Sequence, residues 1–339
     1  MVEAALPKVR IYATGGTIAG ASNSNSSTDT TQYSAGQVTV EQLLQAVPPL
    51  KDIAMVESEQ FTNTGSNQLN TSILLSLTKK IQGDLDSDPD LSGVVVTMGT
   101  DTLEEAAFLF DSIIDDERPI VVTGAMRPTT SLSADGSFNL LQAVSASISS
   151  SSRNRGTLIV LNDRIGSAYY TFKSNTRTLD TFQALEAGFL GTFAGIEPIY
   201  YYQPARATGR QLYPVSSLPA KNTLPSVSIL YAALDQGPGL LDFAASQGVQ
   251  GVVIAGEGDG EADRTWLDSM TKLMSRGVPV ITASRSPSGT VQAGNNFGNG
   301  TTSIPSRTLN PQKAKILLQL QLAKDPLDMQ AVKDVFKTA

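Results

Sequence analysis

No histidine and no cysteine occur among the 339 residues. That absence excludes an imidazole base, a thiolate nucleophile, a His/Cys metal site and a disulfide framework before any fold is considered. Chemistry in this chain falls to hydroxyls, carboxylates, lysine and tyrosine. Positive charge is also scarce and scattered: the formal net charge is -7, and no basic stripe tracks a phosphate backbone, so nucleic acid is not an expected partner. No apolar run approaches the roughly 20 residues of a membrane span. The first residues, Met1-Val2-Glu3-Ala4-Ala5-Leu6-Pro7, lack the basic and apolar regions of a signal peptide. A non-membrane protein is expected, either a mature secreted form or a cytoplasmic one. Asn-x-Ser/Thr sequons stand at Asn25, Asn70 and Asn299.

What is present is a series of short apolar runs alternating with amphipathic segments. Val9 to Ala13, Val94 to Thr97, Ile120 to Thr123 and Leu158 to Leu161 are rich in β-branched or aliphatic residues, and each leads into a glycine or polar turn. This is the pattern of parallel strands covered by helices. Helix starts are marked by a Thr39/Gln42 capping box, by Asn70, by Asp101 or Thr102, and by Asp135-Gly136. The segment 201–224 reads as a Pro-, Arg- and Ser-containing linker, and a second βα series follows. Its expected strands are Val227 to Tyr231, Gly251 to Ala255 and Val278 to Thr282, with helices near 263–275 and 311–323. Two doubly wound α/β domains are predicted, a larger one over 1–200 and a smaller one over 225–339. The polar stretch Ala21 to Thr31 breaks the pattern directly after a glycine turn and reads as a lid.

Two threonines in glycine-flanked turns carry the chemical interest: Thr17 in Thr14-Gly15-Gly16-Thr17-Ile18-Ala19-Gly20, and Thr100 in Met98-Gly99-Thr100-Asp101-Thr102. The first turn lacks the Gly-x-Gly-x-x-Gly or Gly-Lys-Ser/Thr words of a phosphate loop. Each taken alone has a plain reading, as a tight turn and a helix cap. An alcohol is a poor nucleophile without a base, and with no imidazole in the chain a lysine can serve, directly or through a second hydroxyl; Lys173 is the candidate. Backbone N–H groups near Thr100, at a strand end leading into a helix, are expected to contribute to an oxyanion hole.

The order and wording of the motifs resemble the L-asparaginase and glutaminase-asparaginase family of bacterial type II and fungal secreted enzymes. The matching stretches are Ala13 to Gly20, Tyr33-Ser34-Ala35-Gly36, Gly65-Ser66, Gly99 to Glu105, Gly124 to Pro128, Ser133 to Gly136, Lys173-Ser174-Asn175 and Leu309 to Ala314. The resemblance implies a flavodoxin-like larger domain and hydrolysis of L-asparagine, with L-glutamine as an alternative substrate and without cofactor or metal. It also implies a homotetramer built as a dimer of dimers, with secretion to the medium, cell wall or periplasm. By the same resemblance Thr17 is the nucleophile with Tyr33 relaying its proton. Thr100, Lys173 and Asp101 form a second hydroxyl-amine-carboxylate cluster, and Ser66, residue 67, Asp101 and the backbone at Ala125 hold the substrate.

The chain departs from the family pattern in places. Asn67 stands where the family has Gln or Glu, and Met98 replaces the His before Gly-Thr-Asp. The C-terminal turn reads Asp259-Gly260-Glu261 in place of Asn-Gly-Asn or Asn-Gly-Ser. After Ser284-Arg285-Ser286-Pro287-Ser288-Gly289 no acidic residue follows until Asp325, and Asn295 or Asn296 lies nearest the place of the family's Glu. Glu261, from a neighbouring subunit, is a candidate for the missing negative charge.

Overall fold

The computed structural model describes residues 5–23, 27–292, 302–326 and 328–339, which form two compact units, Met1–Arg206 and Ala207–Ala339. In the first unit five strands run parallel: β1 (Lys8–Gly15), β2 (Met55–Thr64), β3 (Leu91–Thr97), β4 (Ile120–Thr123) and β5 (Thr157–Leu161). Antiparallel strands β6 (Arg164–Ser167), β7 (Gly191–Ala194) and β8 (Glu197–Tyr200) extend the sheet beyond β5. The order across the sheet is β2-β1-β3-β4-β5-β6-β7-β8, and its parallel part has the doubly wound order in which the chain reverses direction between β1 and β3.

Successive side chains of each central strand point to opposite faces, so both faces must be covered. Val9, Ile11, Ala13, Val95, Val121, Leu158 and Val160 share one core with α1 (Val40–Gln45) and α5 (Gly136–Ile148). Tyr12, Val94, Val96, Val122, Ile159 and Leu161 share the other with α3 (Thr71–Ser87) and α4 (Leu103–Ile113). A short helix, α2 (Leu50–Ile53), leads into β2. Each Val or Ile buried in this way contributes roughly 1.5–3 kcal/mol, which explains why the apolar runs alone marked these strands. The edge strand β2 was not among the predicted strands because it carries Glu57 and Glu59, paired with Lys8, Arg10 and Lys80 on its neighbours. Capping follows the sequence at α1, where Thr39 and Gln42 form the reciprocal box, and at α3, where Asn70 accepts from Ile73 N–H.

The second unit has a parallel sheet in simple order, β9 (Val227–Tyr231), β10 (Gly251–Gly256), β11 (Val280–Ser284) and β12 (Ile304–Pro305). Helices α6 (Gly239–Ser246) and α7 (Leu267–Ser275) share a core with β10 through Leu241, Ala244, Val252, Ile254, Trp266 and Met270. Helix α8 (Pro311–Lys324) packs on β9–β11, and α9 (Met329–Phe336) lies beside α8. Strand β11 begins two residues later than the expected Val278, after Pro279, whose carbonyl accepts from Val252 N–H.

The segment expected as a linker divides between the units, with the boundary at Arg206/Ala207 rather than at residues 200 and 225. Residues 201–206 are held to the first unit: Arg155 donates to the carbonyls of Tyr202 (2.8 Å) and Gln203 (3.3 Å), and Arg206 donates to Asp116 O. Arg155 also lies 3.8 Å from the centre of the Tyr200 ring. Burial pushes the Tyr200 phenol up to about 12, against the opposing influence of Ser152 and Arg155. Tyr213, from the other part, is buried in the second unit, where its hydroxyl meets Gln321 at 3.0 Å. Among the described residues no helix is long and apolar enough to cross a membrane.

Candidate active site

The turns after β1, β2, β3 and β4 converge at the carboxyl edge of the first sheet, the place where doubly wound folds leave a crevice. Glycines permit the convergence. Gly16 has φ 81°, and a Cβ there would stand 2.2 Å from Gly99 N; a Cβ on Gly99 would stand 2.8 Å from Ser66 Oγ. Three backbones therefore touch where larger residues would hold them apart. Some N–H groups of these turns are already committed: Gly16 N–H donates to Thr64 O (2.9 Å) and Asp101 N–H to Ser66 Oγ (3.2 Å). These two are not free to form an oxyanion hole.

Thr17 opens a short 3-10 turn, Thr17–Ala19, and is buried. Its Oγ1 lies 2.7 Å from the hydroxyl of Tyr33. Tyr33-Ser34 pairs antiparallel with Ala21-Ser22, so the described ends of the polar insertion form a ribbon rather than a structureless loop. That ribbon is pinned by Thr129 to Gly20 O and by Ser22 N–H to Thr130 Oγ1. Sequon residues Asn25 and Asn299, together with Asn295 and Asn296, lie outside the described residues; the third sequon residue, Asn70, is the cap of α3.

Thr100 is buried, and Lys173 Nζ lies 2.9 Å from its Oγ1 and 2.7 Å from Asp101 Oδ1. The plain helix-cap reading of this turn fails. The capping position of α4 is Thr102, whose side chain makes no cap bond and instead donates to Ser66 O at 3.1 Å. Lys173 comes from a two-stranded ribbon, Phe172–Lys173 with Phe182–Gln183, far along the chain. Its backbone N–H donates to the carboxylate of Glu104, which is buried in the first turn of α4. Asp101 is exposed at its carboxylate, whereas the Lys173 side chain is largely covered.

Ser66 is buried; because its Oγ accepts from Asp101 N–H, its own proton is left to donate elsewhere. Asn67 is exposed on the next residue of the same short turn, and a Cβ on Gly65 would meet its Oδ1 at 2.7 Å. Ala125 is fully buried. The backbone following it is held by Asp135, whose two carboxylate oxygens accept from Met126 and Arg127 N–H at 2.9 Å each. Asn139 ties the preceding Gly124 carbonyl at 3.0 Å. Glu261 lies in the second unit, exposed, in a hairpin closed by reciprocal 2.8 Å bonds with Glu257. The structure thus brings together Thr17 with Tyr33, and Thr100 with Asp101, Lys173 and Ser66. Glu104 and Asp135 were missed as supports. The signal for Glu104 was a carboxylate inside the apolar run Leu103 to Phe110.

Among the described residues no group of acidic side chains is placed to hold a metal ion. What the arrangement offers is two buried hydroxyls at neighbouring strand ends, one beside a phenol and one beside an amine-carboxylate pair. Such a site suits nucleophilic acyl transfer without imidazole.

The comparisons with known proteins agree with this class. Residues 8–206 match the family described as Asparaginase, N-terminal, and residues 226–336 the Glutaminase/Asparaginase C-terminal domain. The chain is 43% identical over 330 residues to L-asparaginase 2 of Bacillus subtilis, covering 96% of this chain and 86% of that protein. It is 40% identical over 332 residues to L-asparaginase 2 of Escherichia coli, covering 97% and 93%. In structure it is similar to a probable cytoplasmic L-asparaginase from Campylobacter jejuni, with a TM-score of 0.90, 34% identity, and 98% and 99% of the two chains covered. The chain belongs to the asparaginase family.

Proposed function

We propose that this protein hydrolyses the side-chain amide of L-asparagine to L-aspartate and ammonia through an acyl-threonine intermediate. The observation that carries the reading is the pairing of two buried threonine hydroxyls, each with its own proton-handling partner: Thr17 with Tyr33, and Thr100 with Lys173. Thr17 Oγ1 attacks the amide carbon while its proton passes to the Tyr33 oxygen, which gives up its own hydroxyl proton toward the amide nitrogen. Backbone N–H groups of the surrounding turns hold the oxyanion, a contribution of about 3 kcal/mol per donor. The C–N bond then breaks, the nitrogen takes up the proton and leaves as ammonia, and Thr17 holds an ester. Water attacks that ester while Lys173, as the neutral amine, takes its proton through the Thr100 hydroxyl; the C–O bond to Thr17 then breaks, that proton is returned to Thr17 Oγ1, and L-aspartate leaves. This sequence requires no cofactor or metal.

The free amino acid carries two charged groups to be matched. The exposed carboxylate of Asp101 faces the α-ammonium, and the uncommitted proton of Ser66 Oγ serves the α-carboxylate, with Asn67 and the Ala125 backbone completing the pocket. A site of this kind rejects plain amides because its polar groups would be left unpaired. We assign Glu261 of a neighbouring subunit, within a homotetramer arranged as a dimer of dimers, to the charge that the family's Glu supplies. We assign the protein to a secreted location; the Campylobacter jejuni relative, described as cytoplasmic, supports the competing compartment. The test is ammonia release from asparagine and from glutamine by the wild type, Thr17→Ala and Thr100→Val. Asparagine is expected to be the better substrate and both variants to lose turnover. Activity surviving in both would defeat the mechanism.

A further inference from the structure

The turn that carries Thr17, the ribbon that carries Tyr33 and the end of β2 are joined in a closed ring. Gly16 N–H donates to Thr64 O at 2.9 Å, Gly36 N–H donates to Gly16 O at 3.3 Å, and Asn63 Nδ2 donates to Gly36 O at 2.5 Å. Because Asn63 and Thr64 are adjacent in the chain, the three bonds close on themselves. Gly16 directly precedes Thr17, and Gly36 stands three residues after Tyr33. The ring therefore spans both partners of the 2.7 Å bond between Thr17 Oγ1 and the Tyr33 hydroxyl.

The Asn63 link is made by a side chain where the other two are backbone bonds. It is also closely fitted: Gly36 sits at φ 67°, and a Cβ there would stand 2.6 Å from Asn63 Oδ1. The Tyr33 ribbon consists of only two residue pairs, too short to fix its own height above the sheet, since an isolated two-stranded ribbon is marginal. Its placement has to come from what it is tied to.

We propose that Asn63 is a positioning residue for the reaction: by holding the Gly36 peptide against the end of β2, it sets the Tyr33 hydroxyl on Thr17 Oγ1. The inference rests on the roles given above to Thr17 and Tyr33. Asn63 touches neither reacting atom, so its effect appears in turnover rather than in substrate affinity. Displacing a catalytic partner by about an ångström costs up to roughly a hundredfold in rate.

The experiment is a double-mutant cycle on ammonia release with Asn63→Ala, Tyr33→Phe and the two combined, alongside amide hydrogen exchange at residues 33–38. Asn63→Ala is expected to lower kcat by about tenfold or more with KM within about threefold, and to speed exchange at Gly36. In the Tyr33→Phe background the same substitution is expected to cost less than about twofold, because the group it positions is gone. Gly36→Ala, which drives a Cβ into Asn63, is expected to reproduce the kcat loss. Equal losses in both backgrounds, unchanged kcat, or unchanged exchange at Gly36 would overturn the assignment. If Tyr33→Phe alone leaves turnover intact, the reading of Tyr33 fails first and leaves Asn63 nothing to position.

Discussion

Both units end their parallel strands in glycine-rich turns, yet the turns do different work. In the first unit Gly16 lies against Gly99, joining segments that follow two different strands, and Gly99 lies against Ser66 from a third. In the second unit the close approach is local: a Cβ on Gly256 would stand 2.5 Å from the carbonyl of Gly260, within the same hairpin. The polar groups of that hairpin region are engaged nearby, with Ser284 Oγ donating to Gly258 O at 2.6 Å and Asp259 accepting from Gln292 N–H at 3.0 Å. Strand order explains the contrast. The first sheet reverses its winding between β1 and β3, so the chain leaves these neighbouring strands toward opposite faces and opens a crevice. The second sheet runs β9-β10-β11-β12 without reversal. Two α/β sheets of similar build differ in whether the strand order reverses at the point where distant segments meet.

The contrast can be broken first at the meeting point itself. Lys173→Met removes the amine between Thr100 and Asp101 and is expected to lower kcat by about 10²–10⁴-fold, measured as ammonia release. A loss below tenfold would mean that the cluster is structural. Next, Gly16→Ala should destabilise the protein by more than about 3 kcal/mol, since it combines positive φ with a backbone clash. Gly258→Ala in the second unit, at φ 49° with nothing within 4 Å, should cost only about 1 kcal/mol. Equal shifts in denaturant midpoint would erase the distinction between long-range and local glycine contacts.

A smaller effect is expected away from the site, in the loop before β4, where Asp116 and Arg118 pair at 2.6 Å with both side chains 13% exposed. Burial alone would raise the Asp116 carboxyl, but its bonds to Arg118 hold it below the ordinary value. A depressed carboxyl stabilises the fold above its unfolded pKa, near 4, and loses that contribution as pH falls through the folded value. Asp116→Asn should therefore cost about 1–3 kcal/mol at neutral pH, and melting curves from pH 6 to pH 3 should show a shallower fall than in the wild type. Smallest of all, Glu261→Gln is expected to raise KM about threefold with kcat nearly unchanged, roughly the loss of one partly screened charge contact; steady-state kinetics showing no change in KM would remove Glu261 from the site.

The central strands of both units were readable because buried parallel strands are continuous apolar runs. Strand β2 was not, since at the edge its Glu57 and Glu59 are paired with cations from neighbouring segments that no local pattern reveals. Strands β6 to β8 were also missed; short and antiparallel, they lack the long buried run of a central strand. At the candidate site, the residues that the motif wording singled out, Thr100, Asp101 and Lys173, lie within hydrogen-bond reach of one another, and Thr17 lies beside Tyr33. Their neighbours Glu104 and Asp135 did not stand out: the carboxylate of Glu104 interrupts an apolar run, but an acidic residue in the first turn of a helix is ordinary, and only the fold shows Asp135 turning from its helix to grip the Met126 and Arg127 amides.

The sequence by itself determined which chemistry was open to this protein. Lacking His and Cys, it had to work with hydroxyls, an amine, a phenol and carboxylates, and its apolar runs set the parallel sheets. Tertiary structure decided which of those groups lie together. Thr17 and Tyr33 are joined by way of a short ribbon, and Thr100 and Lys173 across 73 residues of chain. Those meetings depend on strand order and on glycines allowing backbones to touch, and both are long-range properties that spacing along the chain does not encode.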